Sequence, residues 1–321
     1  MFSVIIPLYN KAPYVEKAIR SVIAQTYQEF ELIIIDDGST DNSLGKVQKF
    51  KSSKVQIITQ GNSGVSTTRN NGVSLANYNY IAFLDADDWW EPTFLEEMKR
   101  LIEEFPNAGI YGSSYYKVKN GKHIPANIGV DMGFKKGTIN YFEVYAKTMW
   151  MPLTSISVVI PKKVCNSENG FKPALKLGED FDLWVRIANK YPVVFLNKPL
   201  SYYNQDVDVN NREVGVKLYN PEEHMLFTDY GALMENKEFK FLYEKLALYG
   251  LLPYYMNDKN IVETKNILSS IDWEKHEKKY FWYYMKISKF ILRYYFDMLK
   301  AISRIKKILL KLSIIHYNKI K

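Results

Sequence analysis

The chain has 321 residues, 47% of them hydrophobic, with a single cysteine and a formal net charge of +8. That length has room for one large domain plus a smaller one, while the lone Cys165 excludes an intramolecular disulfide and any cysteine-based metal cluster, and fits a reducing compartment. The charge is uneven: residues 275–321 carry 13 Lys or Arg against Glu277 and Asp297, so the first 274 residues are net acidic, which argues against a nucleic-acid groove in the main domain.

Met1-Phe2-Ser3 runs directly into strand-like Val4-Ile5-Ile6, so no secretory leader is expected, and no 18-residue apolar run suggests a membrane span. Ser3–Leu8 reads as a buried strand ended by Pro7-Leu8-Tyr9-Asn10, with Asn10 placed to cap the next helix. From Pro13, apolar residues at Val15, Ala18, Ile19, Val22 and Ile23 have helical spacing. A second strand, Phe30–Ile35, ends in Asp36-Asp37-Gly38-Ser39, completing a βαβ opening. Val55–Thr59 is a third strand, and Gly61-Asn62-Ser63-Gly64 leads into a helix carrying Arg69.

The fourth strand, Tyr80–Leu84, closes on Asp85-Ala86-Asp87-Asp88 and is followed by Trp89-Trp90-Glu91-Pro92, whose proline suits the first turn of a helix. Three acids at a strand's carboxyl end occupy the edge where open α/β sheets bind ligands. They repel one another unless a cation shares the site. A divalent ion carrying a phosphate is one such cation; an acidic turn capping the next helix is the plainer alternative. The next helix has Leu95, Met98, Leu101, Ile102 and Phe105 on one face. Such alternation over about a hundred residues indicates a largely parallel sheet covered on both faces.

After Ala108 the pattern changes to Tyr-rich strands, including Ile110–Tyr116 and Ser155–Ile160. Gly178-Glu179-Asp180 opens a helix with Phe181, Trp184, Ile187 and Ala188 inward, and Val193–Leu196 and Leu200–Tyr203 read as two short strands. From about Tyr219 the chain reads as helices. The expected division is an α/β domain at 1–215 and a helical region at 216–321.

Five stretches together resemble the family 2 glycosyltransferases of the GT-A fold: Ser3–Asn10 (SVIIPLYN), Ile34–Asp41 (IIDDGSTD), Gly61–Gly72 (GNSGVSTTRNNG), Asp85–Asp88 (DADD) and Gly178–Arg186 (GEDFDLWVR). The resemblance covers about residues 1–210. It implies a Rossmann-like, mostly parallel sheet and an inverting transfer of sugar from a nucleoside diphosphate donor, UDP by expectation, to a hydroxyl. The acceptor would be a glycan or lipid-linked glycan of cell-surface polysaccharide or lipopolysaccharide synthesis.

The resemblance also implies roles. Tyr9 would lie on the nucleobase with Pro7 shaping its turn, Asp37 rather than Asp36 would accept a hydrogen bond from the base, and Arg69 would approach the nucleotide. Asp85 would touch the ribose or donor sugar, and Asp87 would bind Mg²⁺ or Mn²⁺ on the diphosphate, with Asp88 capping the following helix. Asp180 would be the general base, its first-turn position favouring the ionised carboxylate. Glu179 would hold an acceptor hydroxyl, and Asp182 would be a solvated acid. Two departures stand out: Tyr203-Asn204-Gln205-Asp206 occupies the segment where family members often place a His, with Arg212 or Asp206 as substitutes, and Lys172-Pro173 replaces an acidic position. The histidines His123, His224, His276 and His316 have no zinc spacing and read as structural or solvated.

From Tyr280 to Lys321 apolar residues, Phe290, Ile291, Tyr294, Tyr295, Met298, Ile302, Ile305, Leu309 and Leu312, recur mostly every three or four positions among Lys and Arg. This basic amphipathic pattern suits the surface of an anionic membrane, placing the protein in the cytoplasm at the inner face of the plasma membrane. A helical layer on the core or on a second subunit is the other reading. Two other functions fit less well. A sugar-phosphate nucleotidyltransferase would show a glycine-rich loop after the first strand, and a non-catalytic sugar-nucleotide binder would have little need of both Asp87 and Asp180.

Overall fold

The computed structural model describes residues 1–207, 218–299 and 301–302. It divides into two compact units, Met1–Tyr243 and Glu244–Lys321. The boundary falls later than the expected 215–216, because the first helical residues belong to the α/β unit: Tyr230 meets Phe181 edge-on at 6.4 Å and Phe239 meets Phe142 at 5.5 Å.

The first unit opens as β1 (Phe2–Leu8), α1 (Val15–Ile23), β2 (Phe30–Asp36), α2 (Ser43–Gln48), β3 (Val55–Thr59), α3 (Val65–Leu75) and β4 (Tyr80–Phe83). These strands stand side by side in the order β3-β2-β1-β4, all parallel. β1 and β2 are apolar nearly throughout because helices cover both faces, and α1 turns Val15, Ala18, Ile19 and Val22 inward. On the other face α3 lies close over β1 at Gly72, where a Cβ would stand 2.4 Å from Ile5 Cγ2. A glycine is required there for the helix to approach the strand.

Trp89–Trp90 is a two-residue strand, β5, and α4 (Phe94–Glu104) begins after it. Pro92 therefore sits ahead of the helix instead of in its first turn. β6 (Ile110–Lys119) and β7 (Lys122–Pro125) form a hairpin, followed by β8 (Lys136–Ile139) and α5 (Tyr141–Thr148). Ser155–Ser157, expected as strand, is a 3-10 turn leading into β9 (Val158–Pro161), and α6 (Lys162–Ser167) and α7 (Glu179–Ala188) come next. The two short strands expected around 193–203 are one, β10 (Val193–Asn204), with register irregularities near Pro199 that let it pair with β6 on both sides of the break. The sheet continues β4-β9-β6-β10-β5, with β9 and β5 antiparallel to their neighbours and β6-β10 parallel. The parallel half thus places the ends of β1, β2 and β4 at one edge.

In the second unit α8 (Lys237–Gly250) continues from the first, followed by α9 (Leu252–Asn257), α10 (Ile261–Ser269) and α11 (Lys278–Phe281), which runs into a π-helical turn at Trp282–Lys286. Tyr284 donates to the Leu248 carbonyl at 2.8 Å, and His276 lies 2.7 Å from Glu244. Residues 289–299 are helical and expose Phe290 (81%) and Tyr294 (70%). Among the described residues no helix is long and apolar enough to cross a membrane.

Candidate active site

The end of β1 turns sharply at Asn10, whose φ is 51°. Its side-chain oxygen accepts the Thr40 and Asp41 N–H groups at 2.8 and 3.2 Å, and its own N–H donates to Ser39 Oγ. Asn10 therefore ties the loop after β1 to the loop after β2, instead of capping α1 as its position suggested. Pro7 is partly buried at the strand end and the Tyr9 ring is exposed beyond it.

Asp37 is buried and heavily bonded. Oδ1 accepts from Gln60 Nε2, Ser63 N and Ser63 Oγ at 2.7 to 3.1 Å, and Oδ2 accepts from Gly64 N at 2.9 Å. Burial alone would push this carboxyl up, but those bonds hold it below the usual range. Asp36 is also buried, with Oδ1 unpartnered among the described residues.

Arg69 reaches from α3 to the centre of the site, its side chain 4% exposed. One guanidinium nitrogen lies 2.8 Å from Asp85 Oδ1 and another 2.9 Å from Glu179 Oε1. It is the physical link between the acidic turn after β4 and the acidic start of α7, segments almost a hundred residues apart. The two carboxylates and Asp180 hold the guanidinium charged despite its burial.

The turn after β4 separates its three acids by partner. Asp85 meets Arg69, and Asp87 Oδ2 meets the Lys11 ammonium at 2.8 Å. Asp88 accepts the Asn204 N–H at 2.7 Å from β10, and Asn204 Nδ2 donates to the Asp87 carbonyl. Asp88 is thus a strut between the turn and β10, not a cap for α4, whose N-terminus has no side-chain cap. Burial raises both Asp87 and Asp88; Lys11 offsets part of this at Asp87, while Asp87 and Asp85 add to it at Asp88.

Gly178 precedes α7 in a left-handed conformation, φ 81°, which lets the chain turn into the helix at the site. Asp180 accepts the Phe181 N–H at 2.7 Å. Its carboxyl is pushed up to about 7 by burial and then by Glu179, against the opposing pull of Arg69. The expectation that the helix dipole would keep it firmly ionised is corrected: crowding and lost hydration outweigh half a charge at a helix end. Asp182 is corrected too. It is fully buried, held by Lys172 at 2.7 Å and Arg186 at 2.8 Å, so the lysine that replaces an expected acid anchors α7.

In sequence Tyr203 is only a departure from the family pattern, yet its phenol is pushed up to about 12 by burial and by the negative charge of Asp88, Asp85 and Asp87. Position 203 thus faces the acidic turn. Asp206 accepts the Asn120 and Gly121 N–H groups and so fastens the β6-β7 hairpin. Arg212 lies outside the described residues, as do His316 and the tail residues Ile305, Leu309 and Leu312. His224 accepts the Leu226 N–H at 3.0 Å, and burial lowers it to about 4, a structural role. Sequence reasoning gives no role to Lys11 or Asn204; Lys11 directly follows the Tyr9-Asn10 motif, and Asn204 lies in a segment that stands out only as a departure from the family pattern.

Among the described residues no three His, Cys, Asp or Glu side chains are grouped to hold a metal unaided. One or two carboxylates completed by phosphate oxygens and water suffice for Mg²⁺. Asp87 fits that mode: it is a partly exposed carboxylate already matched to a cation in a cluster of acids.

Residues 3–154 match the sequence model of glycosyl transferase family 2. An uncharacterized glycosyltransferase of Rickettsia felis is 34% identical over 224 residues, covering 67% of this chain and 35% of that protein. Glycosyltransferase GlyA of Streptococcus pneumoniae is 37% identical over 116 residues, 36% of this chain and 16% of its own length. The chain thus spans about a third or less of these curated relatives. Among solved structures, S. aureus TarS 1-349 in complex with UDP-GlcNAc superposes with a TM-score of 0.66 over 88% of this chain and 81% of that one, at 17% identity, a likeness of fold. With motifs, fold and relatives in agreement, the chain belongs to glycosyl transferase family 2, its family segment at residues 3–154 within a GT-A-like α/β fold.

Proposed function

We propose that the protein is a metal-dependent, inverting glycosyltransferase that moves a sugar from a nucleoside diphosphate, UDP by preference, to a hydroxyl of a glycan or lipid-linked glycan. The observation that supports this reading is Arg69 holding Asp85 and Glu179 at once, which brings the turn after β4 and the start of α7, with Asp180, to one guanidinium. Tyr9 offers an exposed ring for the base beside Pro7, and Asp37 Oδ2 retains a lone pair for a base N–H. Asp85 and Arg69 face the donor sugar and its phosphates. An ion held by Asp87 supplies, when bound, positive charge against the developing nucleoside diphosphate.

Asp180 accepts the proton of the acceptor hydroxyl as that oxygen attacks the anomeric carbon opposite the leaving diphosphate, inverting it. A carboxyl poised near 7 is matched to that task. Glu179 orients the hydroxyl. The helical residues 289–299, with Phe290 and Tyr294 exposed, begin a basic tail suited to an anionic membrane on the cytoplasmic side.

The deciding experiment screens nucleotide sugars for divalent-dependent thermal stabilisation and hydrolysis. A UDP-sugar is expected to respond; a response only to sugar 1-phosphate with nucleoside triphosphate would make the protein a nucleotidyltransferase. The membrane assignment is checked by vesicle sedimentation, in which deletion of 280–321 is expected to abolish binding to phosphatidylglycerol vesicles.

A further inference from the structure

The three acids after β4 have partners of unequal permanence. Arg69 is buried between two carboxylates, and the Asn204 N–H belongs to the backbone of β10. Lys11 is different. Its backbone is pinned, the N–H donating to Ser43 Oγ at 2.8 Å, while its ammonium sits at the end of a four-carbon stem that can adopt several rotamers. It lies 2.8 Å from Asp87 Oδ2, with side-chain exposures of 11% for Lys11 and 19% for Asp87, so the pair is largely shielded from water. The positive charge of Lys11 offsets the crowding of carboxylates at Asp85, Asp87 and Asp88 in the turn.

We propose that Lys11 is the resident counter-ion of the donor site: its ammonium neutralises Asp87 in the substrate-free protein, yields that place to the divalent cation, and then lies against the incoming diphosphate. An ammonium and a divalent ion cannot both rest on the same carboxylate oxygen, since their repulsion at such separation is strong in a partly desolvated loop. Metal affinity without nucleotide is therefore held down by competition. The diphosphate relieves it, because it brings enough negative charge to accommodate both cations. Metal and nucleotide thereby favour each other's binding through one movable side chain, reciprocally. The proposal rests on the assignment above of a divalent cation to Asp87.

The test is Mn²⁺ binding to the full chain, followed by the electron paramagnetic resonance signal of free Mn²⁺, with and without UDP. Without UDP, Lys11→Met is expected to bind Mn²⁺ roughly tenfold more tightly than the unaltered protein, whereas Lys11→Arg, which keeps the positive charge, stays near the unaltered affinity. The gain in Mn²⁺ affinity produced by UDP is expected to shrink in Lys11→Met. Should that variant fold poorly, Lys11→Gln, which retains a polar group for Asp87, replaces it. Asp87→Asn separates the two possible failures. If it loses Mn²⁺ while Lys11→Met binds no better than the unaltered protein, the exchange is overturned and the cation assignment survives. If Asp87→Asn keeps full Mn²⁺ affinity, the cation assignment falls, and the exchange with it.

Discussion

The donor side of the site and the Asp180 side are stabilised in opposite ways. On the donor side each of these carboxylates has a partner: Asp37 accepts Ser63 and Gly64 N–H groups, Asp85 meets Arg69, and Asp87 meets Lys11. Asp180 accepts one hydrogen bond among the described residues, from its neighbour Phe181, and faces the repulsion of Glu179. Under the proposed function the saturated groups would hold the shape that receives the nucleotide. The unsaturated one, pushed up to about 7, would be able to take up and release a proton, so that under this proposal binding and chemistry fall to different degrees of electrostatic satisfaction.

Three measurements break or sharpen this contrast. The largest effect is expected for Asp180→Asn, which lowers the transfer rate roughly 10²–10⁴-fold while the UDP-sugar dissociation constant, read by calorimetry, changes by less than about threefold. Equal losses in rate and affinity would erase the distinction between the two sides. Next, Arg69→Met leaves Asp85 and Glu179 without their shared cation and is expected to destabilise the fold by on the order of 3 kcal/mol in urea unfolding. A loss below about half a kcal/mol, the range of ordinary surface changes, would mean that the guanidinium does not join the two sides.

The third measurement is of pH dependence. Transfer should rise with pH and level off above about 7, where Asp180 has lost its proton. Stability moves the other way. The folded state keeps this proton up to about 7 while the unfolded chain releases it near 4, so stability is lost as pH climbs through that window. Asp180→Asn has no such loss, and its melting temperature relative to the unaltered protein should be more favourable at pH 8 than at pH 4. A pH-independent difference would place Asp180 in an ordinary, hydrated environment.

The donor side was largely legible in the sequence because its residues lie at ends of consecutive parallel strands, and a buried apolar run followed by acids announces such an end. The strand limits at Val55–Thr59 and Phe30–Asp36 show how closely local pattern tracks structure there. The Asp180 side was less so. Its surroundings include Arg69 of α3, Asp85, Tyr115 of β6 and Tyr145 of α5, all distant from α7 in sequence, and the polar interval Asn197-Lys198-Pro199 concealed that β10 is one strand. Asp182 shows the same limit: an acid at a helix start looks solvated until Lys172 and Arg186 are seen to enclose it.

By itself the sequence determined the β-α alternation, the parallel half of the sheet and the family motifs at its edge, since these arise from periodicity and short-range turn chemistry. Only the tertiary structure decided which acid has which partner, that one buried arginine joins residues 85 and 179, and that Asp180 is held near neutrality. Those properties depend on distances between remote segments and on exclusion of water, and neither is encoded in the spacing of residues along the chain.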